Sequence, residues 1–161
     1  MSQALAQLSD IERLREIKLT RAEQGVDAAR QAMLEAQQGL EAGLLAVQTL
    51  QEAYRREATR LVSRIGPAFD GLGLQRQAGA LAQAGSEVRV QQDKLAALRQ
   101  QLNTSEQALE QARNHCQQVR AQLTAIQWQK KDIRAQLKKD QQRRAEAASE
   151  ELFVQALGRR S

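Results

Sequence analysis

The chain has 161 residues and a formal net charge of +5; aromatic residues make up 2% of it, charged ones 27%, and Pro67 is the single proline. So little aromatic bulk cannot fill a wide globular core, whereas a narrow one of Leu, Ala and Val suits two or a few helices lying close together. The charge is uneven, with nine Lys/Arg and nine Asp/Glu in residues 1–64 but nine and five in residues 130–161, a local excess that permits an acidic protein partner or weak nucleic-acid contact.

In chain order, Ser9 followed by Glu12 has the form of a capping box, and Asp10 favours a first turn. Leu5 and Leu8 continue the apolar spacing toward the terminus, which allows a start as early as Ser2. Leu19, Val26, Met33, Leu40, Val47, Tyr54 and Leu61 then recur at intervals of seven. Ala22, Ala29, Ala36, Gly43 and Leu50 occupy the matching d positions, so helix 1 is expected over about 3–65 with one buried seam. Gly25, Gly39 and Gly43 each cost a helix about 1 kcal/mol relative to Ala, and close backbone approach or a gentle bend is their expected role. Glu57 and Arg64 fall at d positions, where the seam should loosen.

The stretch Ile65-Gly66-Pro67-Ala68-Phe69-Asp70-Gly71-Leu72-Gly73 interrupts the pattern. Pro67 restricts Gly66 and lacks a backbone donor, so a connector over about 66–74 is expected to reverse the chain, with Phe69 and Leu72 at its tip. Helix 2 follows over about 75–149, with a weak point near Gly79 and Gly85. Its ladder is Leu81, Val88, Leu95, Leu102, Leu109, Cys116, Leu123, Lys130 and Leu137. The d positions are Ala84, Leu98, Ala112, Val119, Ile126 and Ile133, with polar gaps at Gln91 and Ser105. At 1.5 Å per residue the helices reach roughly 90 and 110 Å. The expected fold is all-α: one elongated antiparallel two-helix coiled-coil hairpin over 1–161, ending in a short segment 150–161. A parallel dimer kinked at Pro67 would use the same seam.

No catalytic chemistry emerges. Cys116 is alone, on the seam, and reads as a small core residue in a reducing compartment, the cytosol. His115 beside it points to another face, and no second His or Cys completes a metal site. Acidic pairs on an open helix have no enclosure to raise a pKa. Gly66, Gly71 and Gly73 are not followed by Lys-Ser or Lys-Thr, so no phosphate loop and no direct nucleotide binding are expected. No cofactor is implied. No run approaches the roughly 20 apolar residues of a membrane span, and no secretory signal opens the chain.

Partner contacts are expected toward the ends. Trp128, Lys130, Lys131 and Arg134 form an aromatic and basic cluster, in which Lys130 sits on the a line and extends its stem so that its charge can seek a carboxylate or phosphate. A frayed coiled-coil end is the plainer reading of the same stretch. Asp132, Asp140, Glu146, Glu150 and Glu151 dilute the cations too much for a DNA-groove helix, so no nucleic acid is expected. In the tail, Phe153 and Leu157 lie four apart and suit either a binding segment or a cap over Leu5, Leu8 and Ile11.

The run Leu14-Arg15-Glu16-Ile17-Lys18-Leu19-Thr20-Arg21-Ala22-Glu23 resembles the start of the type III secretion stalk proteins of the YscO class, related to the flagellar export protein FliJ. Length, two-helix layout and basic balance extend the likeness over the chain. The ending Glu150-Glu151-Leu152-Phe153 resembles that of injectisome members. The resemblance implies a non-catalytic central stalk of a secretion ATPase hexamer, contacting an export gate protein and, in some members, escort chaperones. It further implies a cytoplasmic location at the inner-membrane base of a secretion apparatus. Lys18 and Arg21 match its basic positions and become candidate partner contacts. A structural coiled-coil adaptor or chaperone unrelated to an ATPase is the alternative.

Overall fold

A computed structural model describes residues 2–64 and 71–160. Two helices account for them: α1, Ser2–Arg64, and α2, Gly71–Arg160. The fold is all-α, two long helices packed against each other as the arms of a helical hairpin. Gly66, Pro67 and Phe69, expected to turn the chain, lie outside the described residues, as does the side chain of Arg64.

The boundaries differ from the sequence expectation at three places. α1 starts at Ser2, so Ser9 and Glu12 lie inside the helix and form no capping box; the Glu12 carboxylate turns across the seam to Lys130 instead. α2 begins at Gly71 rather than near Gln75, and Gly73 lies within the helix and not at positive φ. It also continues through 150–160, expected as a separate segment. The residues after Asp140 are mostly Gln, Arg, Ala, Glu and Leu, strong helix formers that need no seam to extend an existing helix.

The described chain divides into two units, one of Met1–Gly25 with Arg113–Ser161 and one of Val26–Ala112. In the first, Ala22, Cys116, Val119, Leu123 and Ile126 are buried, and Ile133 and Leu137 are half-buried. Its helices run antiparallel: Glu12 meets Lys130, Arg15 meets Gln122, and Glu23 meets Arg120 at 3.3 Å. Because Glu12 faces Lys130, equal steps back along α1 and forward along α2 bring Ser2 opposite Asp140. Beyond that point every residue from 141 to 160 is exposed.

In the second unit Ala36, Val47, Leu95 and Leu109 are buried. Val26, Met33, Leu40, Leu50, Leu98 and Leu102 are half-buried, as are the polar seam residues Gln91 and Ser105. A methyl group on Gly43 would stand 2.8 Å from Leu98 Cδ1 and 3.4 Å from Leu95 Cδ1, so the bare backbone there admits two leucines. Gly39 is in ordinary reach of Leu98, while Gly25, in the first unit, has nothing within 4 Å and no packing reason to be glycine. Toward the connector the seam loosens. Tyr54, at an a position, is 38% exposed, and Glu57, at d, pairs along its own helix with Arg60 at 3.1 Å. α2 runs unbroken through Gly79 and Gly85; a methyl on Gly85 would meet the Tyr54 ring at 3.4 Å.

Candidate interaction surface

All seven residues expected to contact partners fall in the unit of Met1–Gly25 and Arg113–Ser161, yet their surroundings differ. Lys130 is an internal residue. Its ammonium pairs with Glu12, the two side chains being 13% and 18% exposed, so the carboxylate it seeks comes from α1 of its own chain. That hydrogen bond holds the Glu12 carboxyl below its ordinary range; partial burial opposes the shift, and the charge of Lys130, a hydrogen bond from Gln127 and the charge of Arg134 add to it. Arg134 is exposed and near enough to Glu12 to contribute that charge.

Trp128 and Lys131 come together on the outer surface. The Lys131 Nζ stands 5.1 Å from the indole centroid, and the indole is 64% exposed. An exposed cation–π contact of this kind is worth about 0.5–1 kcal/mol, enough to bias the ring's orientation. Lys18 and Arg21 are exposed neighbours on α1, three positions apart and hence on adjacent turns of one face. Phe153 is 66% exposed on the overhanging end of α2, with Leu152 and Leu157 at 67% and 53%. The structure does not bring Phe153 to Lys18 or Arg21, nor does the tail cap the start of α1. Leu8 and Ile11 instead line an open groove with Ala4, Gln7, Gln129, Asp132 and Ile133.

An apolar stripe beside Lys18 and Arg21 escaped the sequence reading. Ile11, Leu14 and Ile17 are 40%, 60% and 51% exposed. With Leu19 at a, they occupy g, c and f: Ile11 flanks the two-helix seam, and Leu14 and Ile17 lie outside it. Three large aliphatics off the a/d line within seven residues was the available signal. Leu14 and Ile17 entered only as members of a motif, and Ile11 only as something to be capped.

The groove, Ile11 and Leu14 of the stripe, and Phe153 and Leu157 of the tail occupy the c/g side of their helices. In an antiparallel pair the g positions of the two helices face each other, with c positions outside them. Ile11, Leu14, Lys18 and Arg21 are g or c on α1, and Glu146, Glu150, Phe153 and Leu157 are g or c on α2. The arrangement offers aliphatic and charged side chains to another helix. Among the described residues no cluster of His, Cys, Asp or Glu could ligate a metal ion. Cys116 is a buried free thiol, and no described helix is long and apolar enough to cross a membrane. No protein-family model, curated protein or solved structure matches the chain.

Proposed function

We propose that this chain is a non-catalytic helical stalk that engages a secretion ATPase ring and an export gate through the unit holding both helix ends. The observation that carries the reading is the division of labour in that unit: the seam satisfies its own apolar and charged groups, Lys130 included, while the stripe at the start of α1, Trp128 and the end of α2 stay uncovered. Soluble chains leave single aliphatics exposed as a matter of course, but a contiguous stripe edged by Lys18 and Arg21 is the kind of surface that partners cover.

Such a stalk needs no reactive residue of its own. A ring of ATPase subunits changes its hydrolysis only if the stalk binds its alternative arrangements with unequal strength. Basic side chains on stiff helices suit that task, because they hold a fixed charge pattern against carboxylates that move as subunits rearrange. Escort chaperones would use the aliphatic part of the same surface, as an amphipathic helix does when its apolar face is bound.

The test is direct. The purified chain is added to the hexameric export ATPase, and binding and ATP turnover are measured beside a Lys18→Glu/Arg21→Glu variant. Binding with altered turnover, weakened about tenfold or more in the variant, is the expected result. Absence of both effects overturns the stalk reading, and capture of a secretion chaperone without any effect on the ATPase assigns the chain to coiled-coil adaptors.

A further inference from the structure

We propose that the exposed stripe on α1 is a docking site for the overhanging end of α2 from a second copy of this chain. The side chains on the c/g side of the two segments follow complementary orders. Read from the seam outward, α2 presents Glu146, Glu150, Phe153 and Leu157. Read toward its start, α1 presents Arg21, Lys18, Leu14 and Ile11. Laid antiparallel, the two series match position for position: Glu146 against Arg21, Glu150 against Lys18, Phe153 against Leu14, Leu157 against Ile11. Both acids meet cations, and both apolar pairs meet each other. Every pair joins c to c or g to g, the geometry that antiparallel helices require.

The same chain cannot make this contact. α2 is one continuous helix to Arg160, and the seam register places Lys18 near Thr124, about 26 residues before Glu150, or roughly 40 Å at 1.5 Å per residue. The tail therefore projects past the start of α1 while its complement lies far behind it. Direction matters too. If Phe153 still met Leu14 but the segment ran parallel to α1, Arg160 would land on Arg21 and the acids on Gln7 and Ile11, which discards the charge match.

Donor and acceptor surfaces are different patches, so the contact is heterologous: each copy gives its tail to one neighbour and receives a tail from another. Association then need not stop at two. Four side-chain pairs make a small interface, so it is a weak one seen at high protein concentration.

The experiment uses the full-length chain in sedimentation equilibrium up to about 1 mM, where even weak self-association is read. Wild type should pass from monomer to species larger than dimer. Phe153→Glu removes the tail's anchor and Leu14→Glu the stripe's, each at an exposed site, with helicity checked by circular dichroism. Either variant alone should remain monomeric, and their equimolar mixture should form a 1:1 heterodimer that grows no further, since one intact tail meets one intact stripe. Glu150→Lys should weaken association about tenfold, and Lys18→Glu in the same chain should restore it. A monomeric wild type overturns the proposal. So does association that survives Phe153→Glu or Leu14→Glu alone, or a mixture that stays monomeric. A Leu157→Cys variant, made with Cys116→Ser, that crosslinks to itself but not to Ile11→Cys would assign the tail to tail-to-tail pairing and sink the idea.

Discussion

At the scale of single residues, the pairing of Glu12 with Lys130 is where sequence pattern and structure part most instructively. Both occupy a positions, and periodicity alone flags a charge on a seam as a defect or as a surface reaching for a partner. The register between helices decides otherwise, and register is not visible until both arms are aligned. The pair makes stability depend on acid. Because the folded carboxyl titrates below its ordinary 4.5, its contribution is fully present above that pH and disappears as the pH falls from there through the lowered folded value. Thermal melts of wild type should drop over that window, and those of Glu12→Gln should drop less. Replacing either partner alone should lower Tm, because the other charge is left on a largely covered seam, whereas Glu12→Leu with Lys130→Leu should recover the loss.

Glycines at the same scale separate by what surrounds them. Gly25→Ala should stabilise by about 0.5–1 kcal/mol, since an open helical site gains propensity and meets nothing. In Gly43→Ala the new methyl would stand 2.8 Å from Leu98 Cδ1. Leu98 must swing aside, and that displacement should cancel most of the propensity gain. Chemical denaturation of the two variants side by side checks the contrast. From the sequence, both glycines carried one common expectation, because the space opposite a backbone is a property of the partner helix.

At the scale of helices, the seven-residue ladders were enough to locate both arms, the seam and its loosening toward the connector. Every described a and d residue on those ladders except Tyr54 is buried or half-buried. What the ladders could not locate was the end of α2. Apolar periodicity fades after Leu137, which reads as the approach of a terminus, yet a helix already nucleated propagates through residues of high propensity without any apolar stripe. The exposed stripe on α1 was missed for the opposite reason: a search tuned to a and d passes over large aliphatics at c, f and g. Deleting residues 150–161 should change Tm by no more than about 2 °C, because every residue from 150 to 160 is exposed. A larger fall in calorimetry would mean that the tail acts as a cap after all.

For the molecule as a whole, the two units carry different duties. The unit of Val26–Ala112 holds seam residues and the glycine that lets leucines interlock. The unit with both helix ends holds the charged pair on the seam, the Trp128–Lys131 contact and the aliphatic stripe edged by Lys18 and Arg21, while Leu45, Val62, Leu72 and Val90 are exposed aliphatics of the other unit. Composition was informative here, since low aromatic content and a single proline leave few alternatives to long packed helices. Binding duties were only partly legible, because a basic excess near the C-terminus does not say which cations are already taken. If copies associate through tail and stripe, mass action should raise Tm as protein concentration rises, and Phe153→Glu should abolish that dependence.

The unbroken passage of α2 from seam into tail has an energetic consequence for whatever meets it. A free peptide of about 20 residues is barely helical in water, because its first turn is costly to start. Here the seam has already started it, so a binder finds the tail prearranged and loses less entropy in ordering it. Equally, unzipping Ile133 and Leu137 from α1 would lengthen the stretch of α2 that stands without packing, so the helix would fray further back from its tip.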